Sequence, residues 1–321
     1  MISSKGEGMM GKQPMNKNQG YDAEQYAALA GFSGDWRDSW WHQDYLELLA
    51  KRWGASDVKS VLDVGCGAGH WGQRIASLLD DPIVTGVDHE PGFLDAARTR
   101  ATGRPGTYAY LRGTAEGLPF DDDTFDMVTC QTVLIHVADA EVALREMIRV
   151  AKPGGLIVAA EPNNRTNRIV NAACFPRPDL EETLQLMRFD DACIRGKMAL
   201  GQGDAEVGEK LPHLFASMGL TRMHVSTNDR NAWLVPPYST ATEQQHIALF
   251  REHVAAKICR WGDYERAKQL YLAGGGTEDA FEVLYALDVR RHAQVLADID
   301  AGRHVWGGGF VMYVASGRKP S

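Results

Sequence analysis

Short apolar runs alternate with amphipathic stretches between residues 60 and 161 of the chain. An apolar run bounded by turn residues is typical of a buried strand, and hydrophobic positions at three- and four-residue spacing are typical of a helix packed on a sheet. Their alternation indicates parallel β–α–β units, which predicts an α/β fold with a doubly wound sheet. The predicted strands are 60–64, 83–88, 108–112, 125–131 and 156–161, and the predicted helices are 39–53, 71–79, 91–99 and 138–150.

The alternation stops after Glu161. A helix over 211–218 follows, with Pro212 near its start and Gly219 as its stop signal. Apolar stretches at 221–227 and 308–316 are predicted to be two further strands. The two ends of the chain therefore build one seven-stranded, mostly parallel sheet.

Residues 162–205 and 229–304 interrupt this sheet and are predicted to be helical insertions, because hydrophobic positions recur at helical spacing in the second of them. We call these two ranges together the lid lobe. Insertions beyond the carboxyl ends of parallel strands lie where substrates bind in open α/β sheets. Gly201, Gly203 and the glycine run 274–276 are expected to let the lobe move.

The remaining ranges complete the domain organisation. Residues 1–20 are polar and glycine-rich and lack the apolar run of a signal peptide, which predicts a disordered leader. Residues 21–58 are predicted to form an N-terminal helical cap on a core at 59–161. Residues 206–228 and 305–318 are expected to be the C-terminal part of the core sheet.

The net charge and the cysteine content of the chain restrict the kinds of partner and compartment that we expect for the protein. The formal net charge of −8 argues against a surface built to hold phosphate backbones, so nucleic acid is not an expected partner. The five cysteines are scattered and form no C-x-x-C, which favours free thiols in a reducing compartment over a disulfide framework or a metal site. The apolar runs are too short to span a bilayer. We expect a cytoplasmic protein without membrane association.

The sequence V-L-D-V-G-C-G-A-G-H-W-G at 61–72 allows two readings of its glycines. From Gly67 it spells G-x-G-x-x-G, the fingerprint of a nicotinamide or flavin dinucleotide site, and from Asp63 it spells D-x-G-x-G-x-G. In dinucleotide sites the first glycine ends the first strand. The predicted strand ends at Val64, and in frame with it the third glycine position is His70. A dehydrogenase is therefore the weaker alternative.

Four motifs follow one another in the order and spacing of a known family. They are D-V-G-C-G-A-G at 63–69, V-T-G-V-D at 84–88, A-E-G-L-P-F-D-D-D-T-F-D-M-V at 115–128 and R-V-A-K-P-G-G at 149–155. Together they resemble the motifs of class I S-adenosylmethionine-dependent methyltransferases, over about residues 60 to 161 and more loosely over the last two strands. The resemblance implies a Rossmann-like fold, S-adenosylmethionine as cofactor and S-adenosylhomocysteine as product.

The resemblance also implies roles for single residues. Asp63 would hold the amino group of the cofactor, Asp88 its two ribose hydroxyls, and Gln131 would face the sulfonium end. Many family members carry Asp at the position of Thr114, so that contact is in doubt, and a solvated surface arginine is the alternative for Arg37. The positions expected to bind the cofactor are Arg37, Asp63, Gly65, Cys66, Gly67, Asp88, His89, Thr114, Ala115, Glu116 and Gln131.

Methyl transfer from an activated sulfonium chiefly requires that the acceptor is positioned and loses its proton. His136, which follows the fourth strand, is the first candidate for a base, and a structural histidine is the alternative. Glu161 is the second candidate, and its alternative is a carboxylate that hydrogen-bonds a loop. Aromatic residues of the lid lobe favour an aromatic or apolar small molecule, methylated on oxygen or nitrogen. A non-catalytic or regulatory cofactor-binding protein and a homodimer remain open.

Overall fold

The structure is a computed structural model that describes residues 37, 40–171, 174–230, 233–309 and 311–321. The predicted leader at 1–20 and the part of the predicted cap at 21–36 lie outside these residues. Along the part of the chain that the structure describes, no helix combines the length and hydropathy needed to cross a membrane.

The strands confirm the predicted fold class. Seven of them form one sheet in the order β3–β2–β1–β4–β5–β9–β7, in which β1 to β5 are parallel and β9 runs antiparallel between β5 and β7. The strands of the described residues are β1 (Ser60–Val64), β2 (Ile83–Asp88), β3 (Thr107–Arg112), β4 (Phe125–Gln131), β5 (Ala151–Pro162), β6 (Cys174–Phe175), β7 (Thr221–Thr227), β8 (Val305–Trp306) and β9 (Met312–Arg318).

Helices cover both faces of the sheet. Val61 packs among α1 and α2 on one face, and its neighbour Leu62 packs among α4 and α7 on the other, because successive side chains of a strand point to opposite faces. Both side chains are fully buried, which is why the strand reads as a continuous apolar run. The helices of the described residues are α1 (Gln43–Trp53), α2 (His70–Ala76), α3 (Pro91–Ala101), α4 (Ala140–Val150), α5 (Asn164–Asn171), α6 (Leu180–Ala199), α7 (Val207–Ser217), α8 (Ala241–Ala255), α9 (Tyr264–Ala273) and α10 (Glu278–Asp300).

The two insertions of the lid lobe pack on each other. α6 from the first insertion and α9 and α10 from the second share a core centred on Phe189, Tyr271 and Phe281. The short strand β6 of the first insertion pairs antiparallel with β8, which directly follows the second insertion and does not join the main sheet. The lobe therefore has a hydrophobic core of its own, separate from the two cores of the main sheet.

Gly274, which the sequence suggested as a source of motion, packs closely against a neighbouring helix, and so does Gly196. A Cβ at Gly274 would lie 1.8 Å from the carbonyl oxygen of Ala192, and a Cβ at Gly196 would lie 1.7 Å from that of Leu270. The backbones of α6 and α9 thus touch where they cross, and only glycine fits there. Gly274 holds the two helices together, and the expectation that it supplies freedom of movement is wrong.

Several predicted bounds differ from the structure. α7 begins at Val207, so Pro212 lies inside the helix, because Val207, Leu211 and Phe215 form one buried stripe. β5 begins at Ala151, since Ala151 pairs with Phe125 where the register of β4 and β5 shifts. Residues 151–155, which precede the predicted strand at 156–161, are therefore part of β5.

Candidate functional site

The turn after β1, which we call the glycine turn, contains three glycines with left-handed backbone. Gly65, Gly67 and Gly69 all have positive φ, at 62°, 51° and 81°, in the left-handed region that glycine enters most readily. A Cβ on Gly65 would lie 2.4 Å from the side chain of Val133, so this glycine permits close packing within the protein. A Cβ on Gly67 would meet nothing within 4 Å. Gly67 therefore borders open space that a ligand can fill.

Asp88, at the end of β2, fixes this turn from the neighbouring strand. One carboxylate oxygen accepts the backbone N–H of Gly67 at 2.9 Å, and the other accepts that of Glu90 at 3.0 Å. The side chain is 8% exposed. Each carboxylate oxygen can accept a second hydrogen bond, so Asp88 retains capacity for hydroxyl groups of a ligand while it shapes the turn.

Asp63 is a buried carboxylate that lacks part of its hydrogen bonding. Its Oδ2 accepts the backbone N–H of Gly72 at 2.9 Å, and a Cβ on Gly72 would lie 2.7 Å from that oxygen. Its Oδ1 has no hydrogen-bond partner among the described residues. Burial raises the pKa of Asp63 to about 7. A buried acceptor without a partner is costly, and it suits a cationic group supplied by a ligand.

Arg37, which precedes α1 in the chain, comes close to the carboxylates of Asp63 and Asp88. Its Nη1 donates to the hydroxyl of Thr132 at 3.3 Å, and its guanidinium lies 5.4 Å from the ring centre of Trp40. Burial lowers the pKa of Arg37, while the charges of Asp63 and Asp88 raise it. Arg37 is half-buried and lies within electrostatic range of both carboxylates.

The other positions expected to bind the cofactor differ in exposure and contacts. Cys66 and Ala115 are buried, and Thr114 and Glu116 are exposed. The ring of His89 is 3.4 Å from a carboxylate oxygen of Asp88. Gln131, at the end of β4, is 6% exposed and donates to the sulfur of Met312 at 3.9 Å.

Both carboxylate oxygens of Glu161 accept hydrogen bonds from the loop that follows β4. Its Oε1 accepts the backbone N–H groups of Val133 and Leu134 at 2.8 and 2.9 Å, and its Oε2 accepts that of Ile135 at 3.2 Å. Burial raises the pKa of Glu161 to about 7, although the three N–H donors favour the ionised carboxylate and so act to lower it. Glu161 thus holds the loop that carries His136.

His136 lies on the loop after β4, within electrostatic range of Arg37 and of Lys197 from the lid lobe. Its backbone N–H donates to the carbonyl oxygen of Val133 at 2.8 Å. Burial holds the pKa of His136 well below its usual range, and the charges of Lys197 and Arg37 lower it further. The imidazole is therefore neutral at neutral pH.

Lys197 is a site residue that the sequence analysis missed. It comes from α6 of the lid lobe, is 5% exposed, and its ammonium donates to the carbonyl oxygen of Ile135 at 2.5 Å. Burial lowers the pKa of Lys197 to about 7. One signal was present in the sequence: Lys197 falls on the stripe that contains Phe189 and Cys193, which is the buried face of the helix.

The sequence model of a family described as "Methyltransferase domain" matches residues 62–159. Demethylmenaquinone methyltransferase of Shouchella clausii is 35% identical over 128 residues, which are 39% of this chain and 53% of that protein. The protein of the same name from Staphylococcus aureus is 34% identical over 126 residues, 39% of this chain and 52% of that protein. The chain thus spans about half the length of the curated relatives it matches.

Residues 62–159 are a methyltransferase domain of class I, the S-adenosylmethionine-dependent kind. The matched range begins inside β1 and ends inside β5, so it contains the glycine turn, Asp63, Asp88 and His136. The crystal structure of the YcgJ protein of Bacillus subtilis is similar to 87% of this chain and 100% of its own, at 18% identity and a TM-score of 0.48. Arg37 and Lys197 lie outside the matched range, so the methyltransferase domain receives two cations from flanking segments.

Proposed function

We propose that this protein transfers the methyl group of S-adenosylmethionine to the oxygen or nitrogen of a small-molecule acceptor. The proposal rests chiefly on Asp63, whose unpartnered Oδ1 lies buried in the methyltransferase domain beside a turn without Cβ atoms. Relatives of the domain are named for demethylmenaquinone, a small molecule, which supports an acceptor of that size class.

The residues around the glycine turn fit the two ends of an amino acid. An α-ammonium group would give Asp63 Oδ1 its missing donor, and Arg37 would supply donors to the α-carboxylate. Asp88 would accept the ribose hydroxyls with the lone pairs that Gly67 and Glu90 leave free. His89, Thr114, Ala115 and Glu116 would border the adenine, and Cys66 and Gln131 the remainder of the cofactor.

The bound cofactor supplies a methyl group that is already activated on a sulfonium, so the chain has to place the acceptor and take its proton. His136 is the base in this proposal, because it is held neutral and lies on the loop after β4. Glu161 is a positioning residue, because its hydrogen bonds to Val133, Leu134 and Ile135 fix that loop. The aromatic lid lobe would bind the acceptor and exclude water.

Calorimetry with S-adenosylhomocysteine tests the cofactor half of the proposal. Micromolar binding supports it. No binding of S-adenosylhomocysteine together with clear binding of NADH would indicate a dehydrogenase instead. Methyl transfer from labelled S-adenosylmethionine to a panel of phenols, amines and acids then tests the catalytic half. Binding without transfer to any acceptor would favour a regulatory cofactor-binding protein.

A further inference from the structure

The ammonium of Lys197 lies buried without an ion-pair partner. Its hydrogen bond within the described part of the chain goes to the carbonyl oxygen of Ile135, and no described carboxylate forms an ion pair with it. The backbone at Gly203 presses on the same carbonyl, since a Cβ there would lie 2.2 Å from it. The lid lobe thus carries a cation directly onto the loop of His136.

The carboxylates nearest to this ammonium are engaged elsewhere. Glu161 accepts three backbone N–H groups, and Asp204 accepts the ammonium of Lys210 at 2.5 Å and the backbone N–H of Glu206 at 2.9 Å. Arg266, the other charged group that acts on Lys197, is a further cation. The charges of Asp204 and Glu161 only partly offset the burial of Lys197, because burial still lowers its pKa. An anion that arrives from outside would stabilise the charged ammonium.

The position of Lys197 relates this anion to the reaction. His136 is within electrostatic range of Arg37 on the cofactor side and of Lys197 on the lid side. An acceptor beside His136 is therefore also beside the ammonium. A base for a proton next to a cation for the charge left behind is an arrangement that suits an acidic hydroxyl group.

We infer that Lys197 recognises the acceptor as an oxyanion, so that the substrate is a phenol or enol that is methylated on oxygen. This inference rests on the proposed methyltransferase function. The hydroxyl proton passes to His136, and the oxyanion is held by Lys197. The acceptor oxygen then bonds to the methyl carbon as the carbon–sulfur bond breaks, and that electron pair stays on sulfur. Lys197 is unchanged by the transfer.

The test uses 4-nitrophenol, which absorbs visible light only as the phenolate, and 4-nitroaniline, a neutral analogue of the same shape. The full chain, saturated with S-adenosylhomocysteine, is titrated with each probe below the pKa of free 4-nitrophenol. The wild-type protein is expected to bind the phenol as phenolate and so increase its visible absorbance. Lys197→Met is expected to weaken phenolate binding about tenfold to a hundredfold, because charge-assisted hydrogen bonds are lost, and to leave 4-nitroaniline binding unchanged.

Lys268→Met is the matched control, because Lys268 is a partly buried lysine of the same lobe that pairs with Glu278 at 3.5 Å. It should bind both probes like the wild type. Equal weakening of both probes by Lys197→Met, or no enrichment of phenolate by the wild type, would overturn the inference. The wild-type spectrum decides the matter even if the variant does not fold. Failure of S-adenosylhomocysteine to bind at all would instead reject the proposed function.

Discussion

Replacement of Asp63 by Asn should stabilise the protein without ligand and weaken its binding of the cofactor product. Burial raises the pKa of Asp63 from 3.8 to about 7, so the folded state holds a proton that the unfolded state releases between these values. Stability therefore falls as pH rises from 4 to 7. A pKa difference of about three units, at about 1.4 kcal/mol per unit, lowers the free energy of unfolding of the wild type by about 4 kcal/mol above pH 7. Asp63→Asn removes this loss.

Urea unfolding of both proteins at pH 5 and pH 8 measures this effect. The free energy of unfolding of Asp63→Asn minus that of the wild type should be larger at pH 8 by about 2 to 4 kcal/mol. Glu161, whose pKa is also raised to about 7, is present in both proteins, so its titration cancels in the difference.

Binding supplies an independent readout of the same carboxylate. If an ammonium group pairs with ionised Asp63, S-adenosylhomocysteine should bind the wild type more weakly below pH 7 and release up to one proton there. Calorimetry in two buffers of different ionisation enthalpy measures that proton, and Asp63→Asn should not release it. A stability difference that is the same at pH 5 and pH 8, with equal proton release by both proteins, would refute the assignment.

Three further predictions concern the cofactor turn and the lid lobe. Asp88→Ala should lose about 2–4 kcal/mol of affinity for S-adenosylhomocysteine, because two charge-assisted hydrogen bonds disappear; an unchanged dissociation constant in a folded variant would remove Asp88 from the site. Gly67→Ala should lower the stability of the unliganded protein by only about 1–2 kcal/mol, because of its positive φ, but should abolish detectable calorimetric binding. Gly203→Ala should lower the urea midpoint more than Gly67→Ala does, because its Cβ would lie 2.2 Å from the carbonyl oxygen of Ile135. Hydrogen exchange over 229–304 should slow with S-adenosylhomocysteine and acceptor together; slowing that follows protein concentration and ignores ligand would identify an interface between two copies.

The core strands could be predicted from sequence because their burial on both faces is visible in the residue types of each strand. The predicted bounds of β1, β2, β4 and β7 agree with the structure residue for residue. A strand covered on both faces has to be apolar at every position, and Val61 and Leu62 show this pattern. The glycine turn was predictable for a similar reason, since a backbone with positive φ leaves a direct trace in residue type.

The lid lobe is different because its helices are defined by contacts between distant segments. α6 extends over 20 residues, yet its buried face includes Asp190 and Lys197, which interrupt the apolar period. Asp190 accepts the indole N–H of Trp261 at 2.7 Å, a contact that spans 71 positions. Because the two partners are so far apart along the chain, the contact of Asp190 with Trp261 could not be predicted from the local sequence.

Lys197 likewise contacts a residue that is distant along the chain, the carbonyl of Ile135. The residues proposed to bind the cofactor lie mostly at strand ends and in a turn within one continuous stretch, whereas the proposed acceptor site requires α6 to meet the loop after β4. Lys197 and Gly203 both pack on the carbonyl of Ile135, and Glu161 holds the same loop. If Lys197 recognises the acceptor as we infer, substitutions in the first insertion should change the choice of acceptor while the glycine turn and its cofactor binding stay as they are.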